Sequence, residues 1–171
     1  LVETAASGVN FIETYQRSGV YPVPFPFTPG SEGSGTVIAT GEGVEKFEVG
    51  DRVVTAAARA TYAEAFLVPA NVAARVPDGI DVQVAAALPL QGCTAHYLAT
   101  SAAQPKPGDT VLVHAGAGGV GLLLTQLLAA RGVRRGERPS TPVRSAAPQR
   151  GWIALHHEAL ARALHAHPGR T

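Results

Sequence analysis

The chain has 171 residues, enough for one ordinary domain or parts of two, with 19 Gly, 13 Pro and a formal net charge of +1. That balance offers no footing for nucleic acid or an anionic membrane surface, and no apolar run reaches the ~18 residues of a membrane span. A single Cys excludes an intramolecular disulfide and a Cys-rich zinc site. With no charged-then-apolar leader at its start, the sequence is expected to be soluble in a reducing compartment, the cytoplasm. Charge is unevenly spread: residues 1–132 carry 7 Lys and Arg against 11 Asp and Glu, whereas residues 133–171 carry 7 Arg against 2 Glu.

Residues 1–90 read as β-rich. Gly35 to Thr40 and Asp51 to Ala56 carry β-branched residues between turn signals, and the glycine- and acid-rich stretch between them reads as a loop. Tyr62 to Pro69 and Ala73 to Val76 read as further strands, the latter ending at the turn Pro77-Asp78-Gly79. Tyr21 to Pro29 has four prolines in nine residues, so it is expected to be an extended loop with buried aromatics. Asp81 is placed to cap a short helix running to Leu88, and Leu90 to Thr100 has apolar residues at helical spacing.

After the turn at 105–109, Thr110 to His114 is a short, nearly continuous apolar run, as expected for a strand buried on both faces. A glycine loop and the apolar helix Val120 to Arg131 follow. From residue 133 the chain is Arg- and Pro-rich without periodicity, and is expected to form no second strand and to be disordered, except for a possible amphipathic helix over 152–166.

Gly116, Gly118 and Gly121 form G-x-G-x-x-G between that apolar strand and helix, the context that gives the motif weight. In such a loop the first Gly permits the tight turn, the second lets a pyrophosphate approach the backbone, and the third lets helix and strand pack closely. The N–H groups and dipole of the helix N-terminus then favour the phosphate charge. A residue about 20 positions on, at the end of a second strand, would set the ribose preference. Arg134 and Arg135 lie in that region, but with no strand expected to place them they read as a solvated basic tail.

The blocks SGVNFIETYQRSGVYP, PFTPGSEGSGTVIATGEGVEKFEVGDRV, AEAFLVPANV, AAALPLQGCTAHYL and KPGDTVLVHAGAGGVGLLLTQL resemble the quinone oxidoreductases, the zeta-crystallin-like, zinc-free branch of the medium-chain dehydrogenases/reductases, over residues 1 to about 132. The resemblance implies an α/β chain. A GroES-like β-rich catalytic domain over 1–90 precedes the first β-α unit of a Rossmann NADP-binding domain over 91–132, with an active-site cleft between the two. It also implies NADPH as cofactor, a quinone or enone as substrate, and homodimers among full-length members. The matching pocket positions are Asn10, Tyr15 and Tyr21, with Thr94 near the nicotinamide and Gly116, Ala117, Gly118, Gly119, Val120 and Gly121 around the pyrophosphate. Taken alone, each Tyr reads equally as a half-buried core residue.

No metal is expected. Zinc-dependent relatives place Cys where Asn10 stands and His where Ser31 stands, and residues 1–132 hold only Cys93, His96 and His114 as soft or imidazole ligands. His156, His157, His165 and His167 read as a surface helix, and Cys93 as a buried small residue. Without a Lewis acid, hydride transfer rests on holding the carbonyl and stabilising the developing oxyanion, for which Asn10 and Tyr15 supply donors.

Departures from the family pattern set the remaining expectations. The family's opening strands are not matched, and the match ends after Arg131. Residues 133–171 are therefore expected to be a non-family tail, of a composition that a GC-rich coding region gives out of frame. The helix after the glycine loop would then be left largely exposed, and the chain would be an impaired enzyme. The alternatives are an enoyl or alkenal reductase of the same branch and a non-catalytic truncated fragment.

Overall fold

The computed structural model describes residues 1–138 and 152–155. The chain divides into two compact units, Leu1–Leu90 and a second beginning at Gln91.

In the first unit the β-branched runs pair into one antiparallel sheet. Its strands are β1 (Val2–Ser7), β2 (Gly33–Val37), β3 (Arg52–Thr55), β4 (Ala65–Phe66) and β5 (Ala74–Arg75), in the order β4-β1-β2-β3-β5. The core comprises Val2, Val37, Phe47, Val53, Ala58, Phe66 and Ala73. Gly35 is required where β1 crosses β2, because a Cβ there would lie 1.8 Å from the carbonyl oxygen of Glu3. The sheet edge is tied by an Arg75–Asp51 ion pair and by Lys46 Nζ donating to the Ala73 carbonyl at 2.8 Å.

Two helices complete this unit: α1 (Phe11–Arg17) and α2 (Val82–Ala85). Asp81 caps α2 as its position suggests, accepting from the N–H groups of Gln83 and Val84. The proline-rich loop is irregular as expected, but its aromatics are not buried: Phe25 is 71% exposed and Tyr21 46%. Phe25 and Phe27 pack edge-on against each other instead.

The second unit holds most of α3 (Pro89–Tyr97), a π-turn over Leu98–Ala102, β6 (Thr110–His114), α4 (Gly119–Ala130), β7 (Arg134–Arg138) and β8 (Trp152–Leu155). Its sheet is parallel, with β6 between β7 and β8. Val111 and Val113 point to one face and are fully buried, while Thr110, Leu112 and His114 are half-buried. The strand therefore has one closed face rather than two. On α4, Gly121, Leu124, Thr125 and Leu128 recur at helical spacing and form its buried stripe. Leu124 and Leu128 pack with Ala95, Leu98, Ala99, Val111, Val113 and Val133.

Three expectations are corrected here. A strand does follow the helix, because α4 ends in a Schellman motif. Gly132 adopts φ +70, its N–H reaches the Ala129 carbonyl, and the Val133 N–H reaches Leu128. Val133 is then buried against the core, and the Arg134 N–H bonds to the Asp109 carbonyl, so the chain starts back alongside β6. Main-chain pairing holds β7 there even though its sequence, RRGER, has no apolar alternation. In consequence α4 is not left largely exposed: Leu124 and Leu128 are almost fully buried, and Leu122 alone among its large apolar residues is counted as exposed. Trp152–Leu155 is strand, not the start of a helix. The expected disorder over 139–151 and 156–171, the rest of that helix, and the four tail histidines lie outside the described residues.

Leu128→Ala is expected to destabilise the chain by about 2–5 kcal/mol and Leu122→Ala by less than about 0.5 kcal/mol. Denaturant melts of the two variants measure both. Equal effects would mean that α4 does not bury the Leu128 face.

Candidate functional site

Asn10 stands at the N-terminus of α1, in extended conformation at φ −129 and half-buried. Its side-chain Nδ2 donates to Glu32 Oε2 at 2.8 Å, and its backbone N–H donates to Glu13 Oε2 at 2.8 Å. Glu32 is fully buried, and its Oε1 accepts from the Leu90 N–H at 2.8 Å. Glu13 is 4% exposed and receives the Ser31 hydroxyl at 3.5 Å. The two positions at which zinc-dependent relatives hold ligands therefore both face acidic side chains, Asn10 through its amide and Ser31 through its hydroxyl. Among the described residues no group of three or more His, Cys, Asp or Glu is arranged to hold a metal ion.

Tyr62 lies beside this cluster, its hydroxyl donating to the Gly8 carbonyl at 3.4 Å. Burial pushes its ionisation above the ordinary tyrosine value of about 10, and the charges of Glu13 and Glu32 push it further the same way.

Tyr15 and Tyr21 come together in an aromatic group. Their rings meet edge-on at 5.5 Å, Tyr15 lies 6.5 Å from the ring of Phe11, and the Tyr21 N–H bonds to the Tyr15 carbonyl. All three are exposed, Tyr15 by 37%. The first unit thus presents a polar group around Asn10 and an aromatic group along the same short helix.

In the second unit the glycine loop joins β6 to α4. The left-handed residue that makes its turn is Ala115, at φ +54, rather than Gly116 as expected. Gly116 is buried and is needed for a different reason: a Cβ on Gly121 would come 2.7 Å from Gly116 Cα and 2.3 Å from the Ala115 oxygen. These two glycines allow helix and strand to touch. Gly118 is the N-cap, with no side chain capping the first turn, and Ala117, Gly118 and Gly119 are exposed. The backbone is therefore open to an anion at the helix start. The loop leaves the carboxyl end of β6, the strand with parallel neighbours on both sides, which is where open α/β sheets place their ligands.

Thr94 lies half-buried on α3, one turn after Gln91, whose Oε1 occupies the place a Cβ on Gly119 would take. Cys93 is exposed, not buried, because the α3 core face runs through Ala95 and not through 93.

Sequence reasoning missed Glu13, Glu32, Gln91 and Arg138. Asn10 followed three residues later by Glu13 is a readable capping pattern. Gln91 and Glu32 carry no local signal. Arg138 ends β7 in register with His114, at the end of the sheet from which the glycine loop leaves. Arg134 pairs with Thr110, at the opposite end.

Because ionised Tyr62 is disfavoured in the folded chain, stability is expected to be unaffected below pH ~10 and to fall as pH rises from the ordinary toward the raised value. Tyr62→Phe should remove a phenolate signal that rises above the ordinary tyrosine value in an absorbance titration, and should lose less stability in that window. Loss of signal at the ordinary value of about 10 instead would show that Tyr62 ionises like an exposed residue.

Residues 1–104 match the family model of the alcohol dehydrogenase GroES-like domain. A probable quinone oxidoreductase of Schizosaccharomyces pombe is 47% identical over 134 residues, covering 78% of this chain and 41% of that protein. A quinone oxidoreductase of Pseudomonas aeruginosa is 42% identical over 167 residues, 94% of this chain and 51% of its own length, an alignment that takes in most of the residues after 133. A mycobacterial protein solved in complex with NADPH superposes with a TM-score of 0.76 at 54% identity, over 80% of this chain and 43% of its own. The chain spans about half or less of the length of these relatives. Because the family model matches more than half of the chain, the chain belongs to the alcohol dehydrogenase GroES-like domain family.

Proposed function

We propose that the protein is an NADPH-dependent quinone reductase that works without zinc. In this reading residues 1–90 are the catalytic domain and residues from 91 open a Rossmann NADP-binding domain. The observation that carries it is the loop at the carboxyl end of β6. Its helix N-terminus has no side-chain cap, and glycines stand where a Cβ would crowd the backbone. That cradle fits a dinucleotide pyrophosphate. The NADPH-bound mycobacterial structure, 54% identical, supports the same cofactor here. Arg138, at the end of the second strand, stands where an arginine suits a ribose 2′-phosphate, which favours NADPH over NADH.

Bound NADPH would supply the hydride for reduction of the quinone, with a solvent proton completing the hydroquinone. The chain's own residues bind and orient. Gly118 leaves room for the pyrophosphate, Gly119 makes space for Gln91, and Thr94 lies on the helix that passes the loop. Asn10 donates its amide N–H to the quinone oxygen as negative charge develops there. Tyr15 and Tyr21 offer an aromatic surface for the ring and hydroxyls for its second oxygen. Asn10 and Ser31 give the site neutral hydrogen-bonding groups engaged with Glu32 and Glu13, a donor set suited to a carbonyl rather than to zinc. The protein is read as cytoplasmic, with a small-molecule quinone as its partner.

The purified chain is expected to enhance nicotinamide fluorescence on titration with NADPH. Gly118→Ala should weaken NADPH binding about tenfold or more while melting near the parent, since its Cβ meets only the Ala115 oxygen at 3.3 Å. Gly121→Ala should instead lose the fold of the second unit, its Cβ meeting backbone at 2.3 Å. Absence of any NADPH response by the parent chain would overturn the reading.

Arg138→Ala should lower the preference for NADPH over NADH without changing NADH affinity. Equal losses for the two nucleotides would remove Arg138 from the site. A panel of quinones and enones, assayed with NADPH, decides the substrate class, and turnover of enones alone would replace quinone reduction by carbon–carbon double-bond reduction.

A further inference from the structure

A primary amide has two ends of nearly the same shape, one donating and one accepting, and which end faces a substrate decides whether it stabilises an oxyanion or repels it. Asn10 is such a case. The reading above needs it to offer an N–H, and Asn10 alone does not determine that.

Glu32 does. Its carboxylate is fully buried and offers only acceptors. It is held in place from several directions. Oε1 accepts from the Leu90 N–H at 2.8 Å, and its main-chain oxygen accepts from the Gly8 N–H and from Thr61 Oγ1, each at 3.0 Å. Gly8 matters through the side chain it lacks: a Cβ there would lie 2.2 Å from Glu32 Oε2. Oε2 is left to face Asn10 Nδ2 at 2.8 Å. Turning the Asn10 amide over would set Oδ1 against a buried carboxylate oxygen, a repulsion without solvent to relieve it. The amide is thereby locked with Nδ2 toward Glu32, one N–H engaged and the second available on a half-buried side chain. Glu13 fixes the same residue from the main-chain side, through the Asn10 N–H.

We propose that Glu32 is a positioning residue: its buried carboxylate selects the amide orientation in which Asn10 presents an N–H, and not Oδ1, to the carbonyl oxygen of the quinone. The inference rests on the proposed quinone reduction for its consequence but not for its geometry. Neither Glu32 nor Asn10 gains or loses a proton or forms a bond. Their effect is to hold a donor ready where charge develops.

Glu32→Gln tests it. The glutamine Oε1 still accepts from Leu90, which turns its Nε2 toward Asn10, donor against donor, so the Asn10 amide must turn over. In the parent chain the side-chain amide signal of Asn10, assigned by its loss in Asn10→Ala, should show one proton shifted downfield by the carboxylate. In Glu32→Gln that shift should vanish, kcat for quinone reduction should fall about a hundredfold, as on loss of one oxyanion donor, and NADPH affinity should be unchanged.

The double variant Glu32→Gln/Asn10→Asp exchanges donor and acceptor across the same bond. It should regain the parent melting temperature but not kcat. Recovery of kcat in the double variant, or a parent-like amide signal and kcat in Glu32→Gln, would overturn the proposal. A parent chain that shows the shifted amide proton but reduces no quinone would instead sink the functional reading and leave the amide orientation standing.

Discussion

A carboxylate removed from water must collect donors or be expelled, and in the first unit Glu32 collects them from two separate stretches of chain while a third leaves it space. Asn10 reaches it from the start of α1, Leu90 from the start of α3, and Gly8 makes room for it at the end of β1. Because both donors are spent on the same side chain, the turn leading into α1 and the last residues of the unit are fixed against the segment before β2. The position of Asn10, and through α1 the positions of Tyr15 and Tyr21, follow from that arrangement. Single buried pairs contribute little net stability, and their better-attested effect is to specify one geometry over others.

The second unit depends on a different constraint, the closeness of helix and strand around the glycine loop. Gly116 and Gly121 meet with no space for a side chain, and Ala115 takes the left-handed turn between strand and loop. This contact points α4 back over β6, where Leu124 and Leu128 cover Val111 and Val113. The Schellman motif at Gly132 then returns the chain beside β6 rather than away from it. A loop open to an anion and a second strand ending at Arg138 are consequences of the same packing, so the proposed cofactor site and the core are not separable in this unit.

The two units hold complementary chemistry. The first offers directed neutral donors and exposed aromatic rings, suited to a flat carbonyl compound. The second offers uncapped backbone N–H groups, suited to phosphate. The proposed quinone reduction would draw on both kinds of group, the cofactor bringing the reducing equivalents and the protein a receptive environment for charge.

By itself the sequence determined whatever rests on local pattern. β-branched runs between turns marked β2 and β3, Asp81 marked α2, and the G-x-G-x-x-G between an apolar strand and an apolar helix marked the loop. The distinctive blocks around Asn10, Tyr15 and Tyr21 marked the family. Tertiary structure decided what depends on residues distant in the chain. Glu32 is one acidic residue among several until folding buries it against Asn10, and Gln91 has no feature that places it over Gly119. RRGER reads as a solvated tail because its side chains carry no alternation; main-chain hydrogen bonds to β6, set by the turn at Gly132, make it a strand. Periodicity reports which side chains seek burial, whereas strand pairing and amide orientation are settled by backbone groups and buried charges whose partners exist only once the chain is folded.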